Sequence, residues 1–501
     1  MLINILNNVG TVKNFLRKYK NDIFVIFFFL IFLPLFFYNL GGTSLVDFDE
    51  AWYAEIARNI LKYKQPFLLF FNGLPYTDHP PLGFILIAIS FLIFGTNEFA
   101  ARFPSASLAF LSVILLYFTG KNLFNRTVGI GAGLMLLSSV WFIFRSRSGN
   151  LDTIFLFFYL LTFYSALKLK NSKNWIYLVV LAFSFSLLTK SMIGISIIAP
   201  IIFLWLINGT KIPIRKIIQA AFLFFVILSP WLIINYLNSG FSYFIHIFNI
   251  GLRSGNRIMP NVFDIGSSLT FQYLHFGIRE WFYPGIIALI GSLTFLYKKP
   301  VLIVLYIWFL ILLFGFLTNS KTEIWHLIPL FPIIGLFISF FLYQIIFYSL
   351  NFISTFNFIY PKKLSFIVRK NLTTLVSLVV LCSLFILSVK QIYEFRNEVN
   401  LFGKYTSGLA YTSSAAKGLP EKLYLDNETF LPGSVFYSQK SVYNVKYEGP
   451  PKNSLKGIVA YGQKPFLLLT EQWRLNLDNI DKSKYKLLAE HQGYVLIRVI
   501  E

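Results

Sequence analysis

From residue 22 to about residue 390, apolar positions gather into long runs separated by short polar loops. Runs such as 23–38 and 301–317 approach the roughly 20 apolar residues a helix needs to cross a bilayer core. The pattern predicts spans near 22–40, 103–119, 128–145, 152–169, 175–190, 192–208, 216–238, 281–297, 300–318, 326–349 and 372–390. One further run, 81–94, has the length of an interfacial or re-entrant segment, about 14 residues. After 390 polar positions become frequent. Short alternating stretches at 422–425, 434–437, 465–469 and 494–499, set between Gly, Pro and Asn-rich turns, predict strands. The expected fold is therefore an all-α polytopic membrane domain over 1–390 and a small α/β domain over 391–501. The membrane domain carries about eleven spans, within about eleven to thirteen, with juxtamembrane helices in a first outer loop at 41–102.

The basic residues decide sidedness. Lys13, Arg17, Lys18 and Lys20 precede the first run, which predicts a retained signal anchor with a cytoplasmic N-terminus. If 81–94 stays on the outer surface, the loops with Lys121/Arg126, Lys168/Lys170/Lys173, Lys211/Arg215/Lys216, Lys298/Lys299 and Lys362/Lys363/Arg369/Lys370 all fall inside. If it spans, all of them move outside, against the positive-inside rule. The expectation is a multi-pass plasma (inner) membrane protein, in contact with membrane lipids, whose C-terminal domain is extracytoplasmic.

The composition agrees: of 501 residues 56% are hydrophobic and only 13% charged. The net charge of +22 lies mostly in those loops, so it reads as topology, and no basic, aromatic-interleaved soluble face is present to bind nucleic acid. With Cys382 as the single cysteine, an intrachain disulfide or cysteine-zinc site is excluded.

Against this background the stretch 46–82 stands out, with five carboxylates and a histidine beside a span. Asp47 and Asp49 precede apolar residues at 52, 53, 56, 57, 60 and 61, a helical period. Asp49 either caps that helix or, ionised at its N-terminus, removes a proton from a hydroxyl. Asp49 is the first candidate base and Glu50 the second. The Asp78-His79-Pro80-Pro81 turn is held rigid by its prolines. Such a turn offers His79 as a phosphate donor and Asp78 as an orienting group or metal ligand. His246, His275 or His326 would be a distant co-ligand, although no spaced ligand motif is present. Arg145, Arg147 and Asp152 flank a span end; they are snorkelling anchors or a phosphate-binding pair and a second carboxylate. Lys190, between two apolar runs, and the Lys321/His326 turn need partners, and a phosphate is a natural one. The predicted topology gathers all of these on the outer face, as an outward-facing catalytic cavity requires.

Taken in order, these motifs resemble a known family. Asp49-Glu50-Ala51-x-Tyr53-Ala54-Glu55-Ile56-Ala57-Arg58-Asn59 is followed by Tyr76-x-Asp78-His79-Pro80-Pro81-Leu82-Gly83 and by the 94–106 stretch, Phe-Gly-Thr-Asn-Glu-Phe-Ala-Ala-Arg-Phe-Pro-Ser-Ala. Arg147 to Asp152, Leu188-Thr189-Lys190 and the His326–Pro332 stretch continue the likeness over about residues 20–340. The pattern is similar to polyprenol-phosphate-dependent glycosyltransferases of the GT-C superfamily, nearest the protein O-mannosyltransferases and the lipid A aminoarabinose transferases. The resemblance implies inverting transfer of a monosaccharide from a polyprenyl-phosphate donor to a hydroxyl of a lipid, glycan or protein on the extracytoplasmic side. It places Asp49 near the catalytic centre and lines the cavity with Asp78 and His79. No cofactor is required and a divalent ion is optional. Two positions depart from the aminoarabinose transferases, which usually carry Arg at the place of Trp52 and Lys at that of His79. The rival reading, a transporter or flippase of lipid-linked glycans, predicts charges or broken helices at mid-membrane and a path open to both faces.

Overall fold

The computed structural model describes residues 19–252, 269–318, 322–355, 362–399, 401–445, 455–478 and 480–500. Among these, five helices are long and apolar enough to cross a membrane: Glu98–Leu123, Ile214–Ile250, Val301–Thr318, Ile324–Phe352 and Asn371–Phe395. A sixth span is formed if the Arg126–Leu137 and Val140–Ser146 helices, bent by 68°, are taken as one. The other runs form shorter helices, among them Asp152–Lys168, Trp175–Leu187, Ile198–Asn208 and Phe282–Ser292. The difference from about eleven spans has a physical source: hydropathy sums apolar residues regardless of backbone breaks. The 192–208 run, for instance, breaks between Ser191–Ile195 and Ile198–Asn208. The short 81–94 run becomes a single 13-residue helix, Leu82–Phe94.

Only 17% of the apolar window in Ile214–Ile250 and 28% of that in Asn371–Phe395 is buried by protein. Exposed Phe222, Phe225, Leu237, Leu378 and Ile386 leave apolar faces that lipid must cover. The core lies where Glu98–Leu123, Arg126–Leu137, Asp152–Lys168 and Phe331–Thr355 pack together. A close crossing of the first two needs small residues: a Cβ on Gly129 would lie 2.3 Å from the Tyr117 carbonyl oxygen. One buried charged cluster sits far from the candidate site in sequence, where Asp22 accepts from Tyr117 at 2.5 Å and pairs with Lys121 and Arg126.

The first loop holds the Asp49–Tyr63 helix and an antiparallel hairpin, β1 (Leu69–Phe71) and β2 (Leu74–Tyr76). Asn72-Gly73 makes its two-residue turn with φ of +50° and +83°, values that asparagine and glycine tolerate best. Beyond the membrane helices lies a five-stranded sheet of order β4-β3-β5-β7-β6. Its strands are β3 (Leu423–Leu425), β4 (Val442–Asn444), β5 (Phe466–Glu471), β6 (Tyr485–His491) and β7 (Tyr494–Val499). The expected strand at 434–437 is instead part of the Leu431–Ser438 helix. Four residues of alternation could not separate the two periods, and Pro432 near the start of the element favours a helix N-terminus.

This domain is bonded directly to the first loop. The Asn72 side chain donates to the Val442 carbonyl at 2.8 Å and accepts from its N–H at 2.9 Å. Arg58 donates to the carbonyls of Phe436 and Val435, and Tyr437 Oη accepts from the Leu45 N–H and donates to Glu98. Asp47 presses on Gly433, where a Cβ would lie 1.7 Å from its Oδ1. Burial pushes the Asp47 carboxyl up to about 7. A carboxyl with a raised folded-state pKa takes up its proton more readily folded than unfolded, so its contribution to stability falls as pH rises from about 4 to about 7. Asp47→Asn is therefore expected to gain thermal stability relative to wild type between pH 5 and pH 8. A melting-temperature difference that does not grow over that range would count against it.

Candidate active site

Charge pairing organises the site. Asp49 is the first residue of its helix, and no side chain caps that helix, so capping does not account for it. Its Oδ2 instead accepts from Arg145 Nη2 at 3.0 Å. Arg145 reaches it because the bend at Ser138–Ser139 redirects the chain into the short Val140–Ser146 helix. The same guanidinium lies 2.6 Å from Asp152 Oδ2, and its Cζ lies 5.0 Å from the centre of the Trp325 ring. Asp152, at the start of its own helix, pairs through Oδ1 with Lys190. A continuous alternating chain results: Asp49, Arg145, Asp152, Lys190. Lys190 is presented by the turn before Ser191–Ile195, and the adjacent Leu188 carbonyl accepts from the Leu82 N–H at 2.9 Å. That bond ties the Lys190 turn to the Asp78-His79-Pro80-Pro81 turn.

Between these turns lies a cavity of about 110 Å³. Asp78, His79, Asp152, Lys190 and His326 stand on its polar side. Phe155, Met192, Ile193, Ile247, Ile250 and Phe316 make the apolar remainder. Asp78 Oδ1 lies 2.9 Å from His246 Nε2, and His79 is held edge-on to Tyr53. His326 Nδ1 accepts from the Glu323 N–H at 2.9 Å, which fixes the ring within a capping box. Among the described residues no three His, Cys, Asp or Glu side chains converge as a metal set; Asp78 meets one histidine.

Two sequence candidates, Glu50 and Arg147, are claimed by other partners, and Asp49 and Arg145 reach this cavity only through Asp152. Glu50 is buried, and four donors fill its acceptor sites: Arg102 Nε and the Gly149 N–H on Oε1, Arg102 Nη2 and the Val46 N–H on Oε2. Burial alone would raise its carboxyl, but the charge and hydrogen bonds of Arg102 hold it below the ordinary value. With no acceptor site left for a substrate, Glu50 is placed as a joint between the first loop and the Arg145–Asp152 turn. Arg147 also points elsewhere, donating to the carbonyls of Val399, Leu35, Phe36 and Tyr38. It staples backbone carbonyls and does not line the cavity. Lys321 lies outside the described residues.

Sequence reasoning missed Trp325 and the apolar wall. Nothing in an apolar run marks which residues face a cavity. His246 was named as a partner for Asp78 only among three histidines, since no spacing chose between them.

The fold is that of a polytopic membrane protein with a small α/β domain docked on its first loop, and comparison with known proteins shows what it is similar to. Residues 78–234 match the model of the dolichyl-phosphate-mannose-protein mannosyltransferase family. An undecaprenyl phosphate-alpha-4-amino-4-deoxy-L-arabinose arabinosyl transferase of Wigglesworthia glossinidia brevipalpis is 29% identical over 222 residues, 43% of this chain and 39% of that one. The chain thus matches about two fifths of that relative's length. ArnT from Cupriavidus metallidurans, solved in the apo state, superposes with a TM-score of 0.71 at 16% identity, covering 95% of this chain and 97% of that one. The archaeal oligosaccharyltransferase AglB from Archaeoglobus fulgidus gives 0.56 at 13% identity, over 91% and 70%. Over part of its length the chain is thus similar to glycosyltransferases that use polyprenyl-phosphate sugars, and its fold is like that of ArnT.

Proposed function

We propose that the protein is a membrane glycosyltransferase that moves a monosaccharide from a polyprenyl-phosphate donor to an acceptor hydroxyl on the extracytoplasmic face, with inversion. One observation carries the reading: the cavity joins an apolar wall, suited to a prenyl chain, to a polar end holding Lys190 and His326 and linked to Asp49 through Arg145. The neighbours support it, since one solved ArnT is bound to undecaprenyl phosphate and AglB is in complex with a dolichol-phosphate and an inhibitory peptide.

In the reaction proposed, the acceptor oxygen forms a bond to the anomeric carbon as that carbon's bond to the phosphate oxygen breaks. The hydroxyl proton passes to Asp49. The donor is a phosphodiester with one negative charge, and the departing lipid phosphate carries more. Lys190 gains interaction energy as that charge develops, which is how a fixed cation lowers the barrier. Asp152 holds Lys190 and Arg145 at a set spacing. The leaving group is already an anion at neutral pH, so no general acid is needed. No step above passes through a divalent ion, which leaves metal dependence to measurement.

The test is release of free polyprenyl phosphate by purified protein offered a panel of polyprenyl-phosphate sugars and a membrane extract as acceptor source. Release that depends on one sugar is the expected result, and no release with any donor from folded protein would sink the reading. In the same assay Lys190→Ala should lower kcat/KM for the donor about tenfold or more, the loss of one charge-assisted contact of about 1.5–3 kcal/mol. An unchanged kcat/KM would return Lys190 to a structural role.

A further inference from the structure

A second space lies outside the donor cavity, and its walls come from two parts of the chain. A cleft of about 460 Å³ opens between the first loop and the C-terminal domain. Asp47, Trp52 and Phe71 stand on the loop side, and Glu428, Thr429 and Asn444 on the domain side. The two walls are one rigid piece, because Asn72 exchanges two hydrogen bonds with the Val442 backbone and Arg58 grips the Leu431–Ser438 helix.

The chemistry of the cleft is specific. Trp52 and Phe71 form an aromatic wall with ring centres 5.0 Å apart. The Trp52 Nε1 is buried and donates to nothing among the described residues. Asp47 and Glu428 put a carboxylate on each wall, in a chain whose net charge is +22. Carboxyl groups on both walls accept hydrogen bonds from hydroxyl- or amine-bearing ligands, and above about pH 7, where Asp47 is ionised, the cleft repels acidic ones. An aromatic wall offers its face to the apolar C–H face of a pyranose while carboxylates take the ring hydroxyls.

The cleft also leads to the donor. Trp52, Phe71, Asn72, Leu74 and Leu431 wall a further space of about 260 Å³ that reaches Asp78, and Asp78 in turn lines the donor cavity. A chain of sugars in the cleft would have its end on the route to the reacting centre.

We propose that this cleft is a saccharide-binding acceptor subsite, taking a neutral or amino-bearing glycan, with the C-terminal domain as its outer wall. The acceptor role rests on the transferase reading above; saccharide binding does not.

The test uses the full chain in nanodiscs of phosphatidylethanolamine and phosphatidylglycerol, which carry no sugar headgroup. Saturation-transfer NMR would be run with chitobiose, the glucosamine disaccharide, digalacturonic acid and an extended Ala-Ala-Ser-Ala-Ala peptide. Wild type would stand beside Leu74→Arg and Thr429→Trp, both at exposed positions, and Trp52→Ala. Binding of undecaprenyl phosphate serves as the control for the donor cavity. The expected result is binding of the neutral or amino disaccharide, weakened about tenfold or more by each variant, with undecaprenyl phosphate binding unchanged. Disaccharide binding indifferent to the three variants, binding only of the acidic sugar or the peptide, or no binding by wild type would each overturn the proposal. If undecaprenyl phosphate fails to bind but the cleft variants still abolish disaccharide binding, the saccharide site stands and the transferase reading falls.

Discussion

Glu50→Ala is expected to lower stability by about 3–5 kcal/mol, because it leaves the Arg102 guanidinium buried without its counter-charge. Arg102 would keep its bonds to the carbonyls of Leu40, Thr43 and Ser44, but carbonyls do not neutralise a cation. The Gly149 and Val46 N–H groups would lose their acceptor at the same time. The measurement is the melting temperature of the purified protein, with Glu50→Ala/Arg102→Leu as the second arm. Removing both charges should recover the part of the loss that comes from the unpaired guanidinium, while the orphaned backbone groups and the lost volume keep the rest. A Glu50→Ala protein that melts with wild type yet fails to turn over would make Glu50 catalytic after all.

The contrast between Glu50 and Asp49 shows what could be read from the residues alone. Charge in an apolar chain is visible, so Asp49, Asp78, Asp152 and Lys190 were identifiable before any coordinates, and the structure links three of them through Arg145. Which carboxylate of the Asp49-Glu50 pair joins Arg145 was not legible. Consecutive helical residues point about 100° apart, and the partner that claims Glu50 is 52 residues away. Arg145 and Arg147 repeat the lesson: one enters the charge chain and the other grips carbonyls of the first apolar run and of Val399. The 72–73 turn could have been read, since Asn-Gly between apolar stretches is a strong hairpin signal. That Asn72 would then clasp Val442 depends on a contact 370 residues distant, which no local pattern encodes.

Asp49→Asn should leave a folded protein whose turnover is lower by about 10²–10⁴, the usual contribution of a positioned general base. Asparagine keeps the shape and an oxygen toward Arg145, and Arg145 keeps Asp152, so the charge chain is shortened instead of dismantled. Donor KM should therefore change little, because Lys190, the cation proposed for the phosphate, lies on the far side of Asp152. The split between kcat and KM, compared with Arg145→Gln, separates a base from a mere support for Arg145: a support role predicts that both variants lose donor affinity together. A variant that retains wild-type turnover, or that loses donor affinity in step with Arg145→Gln, would take Asp49 out of the proton transfer and leave it a structural partner of Arg145.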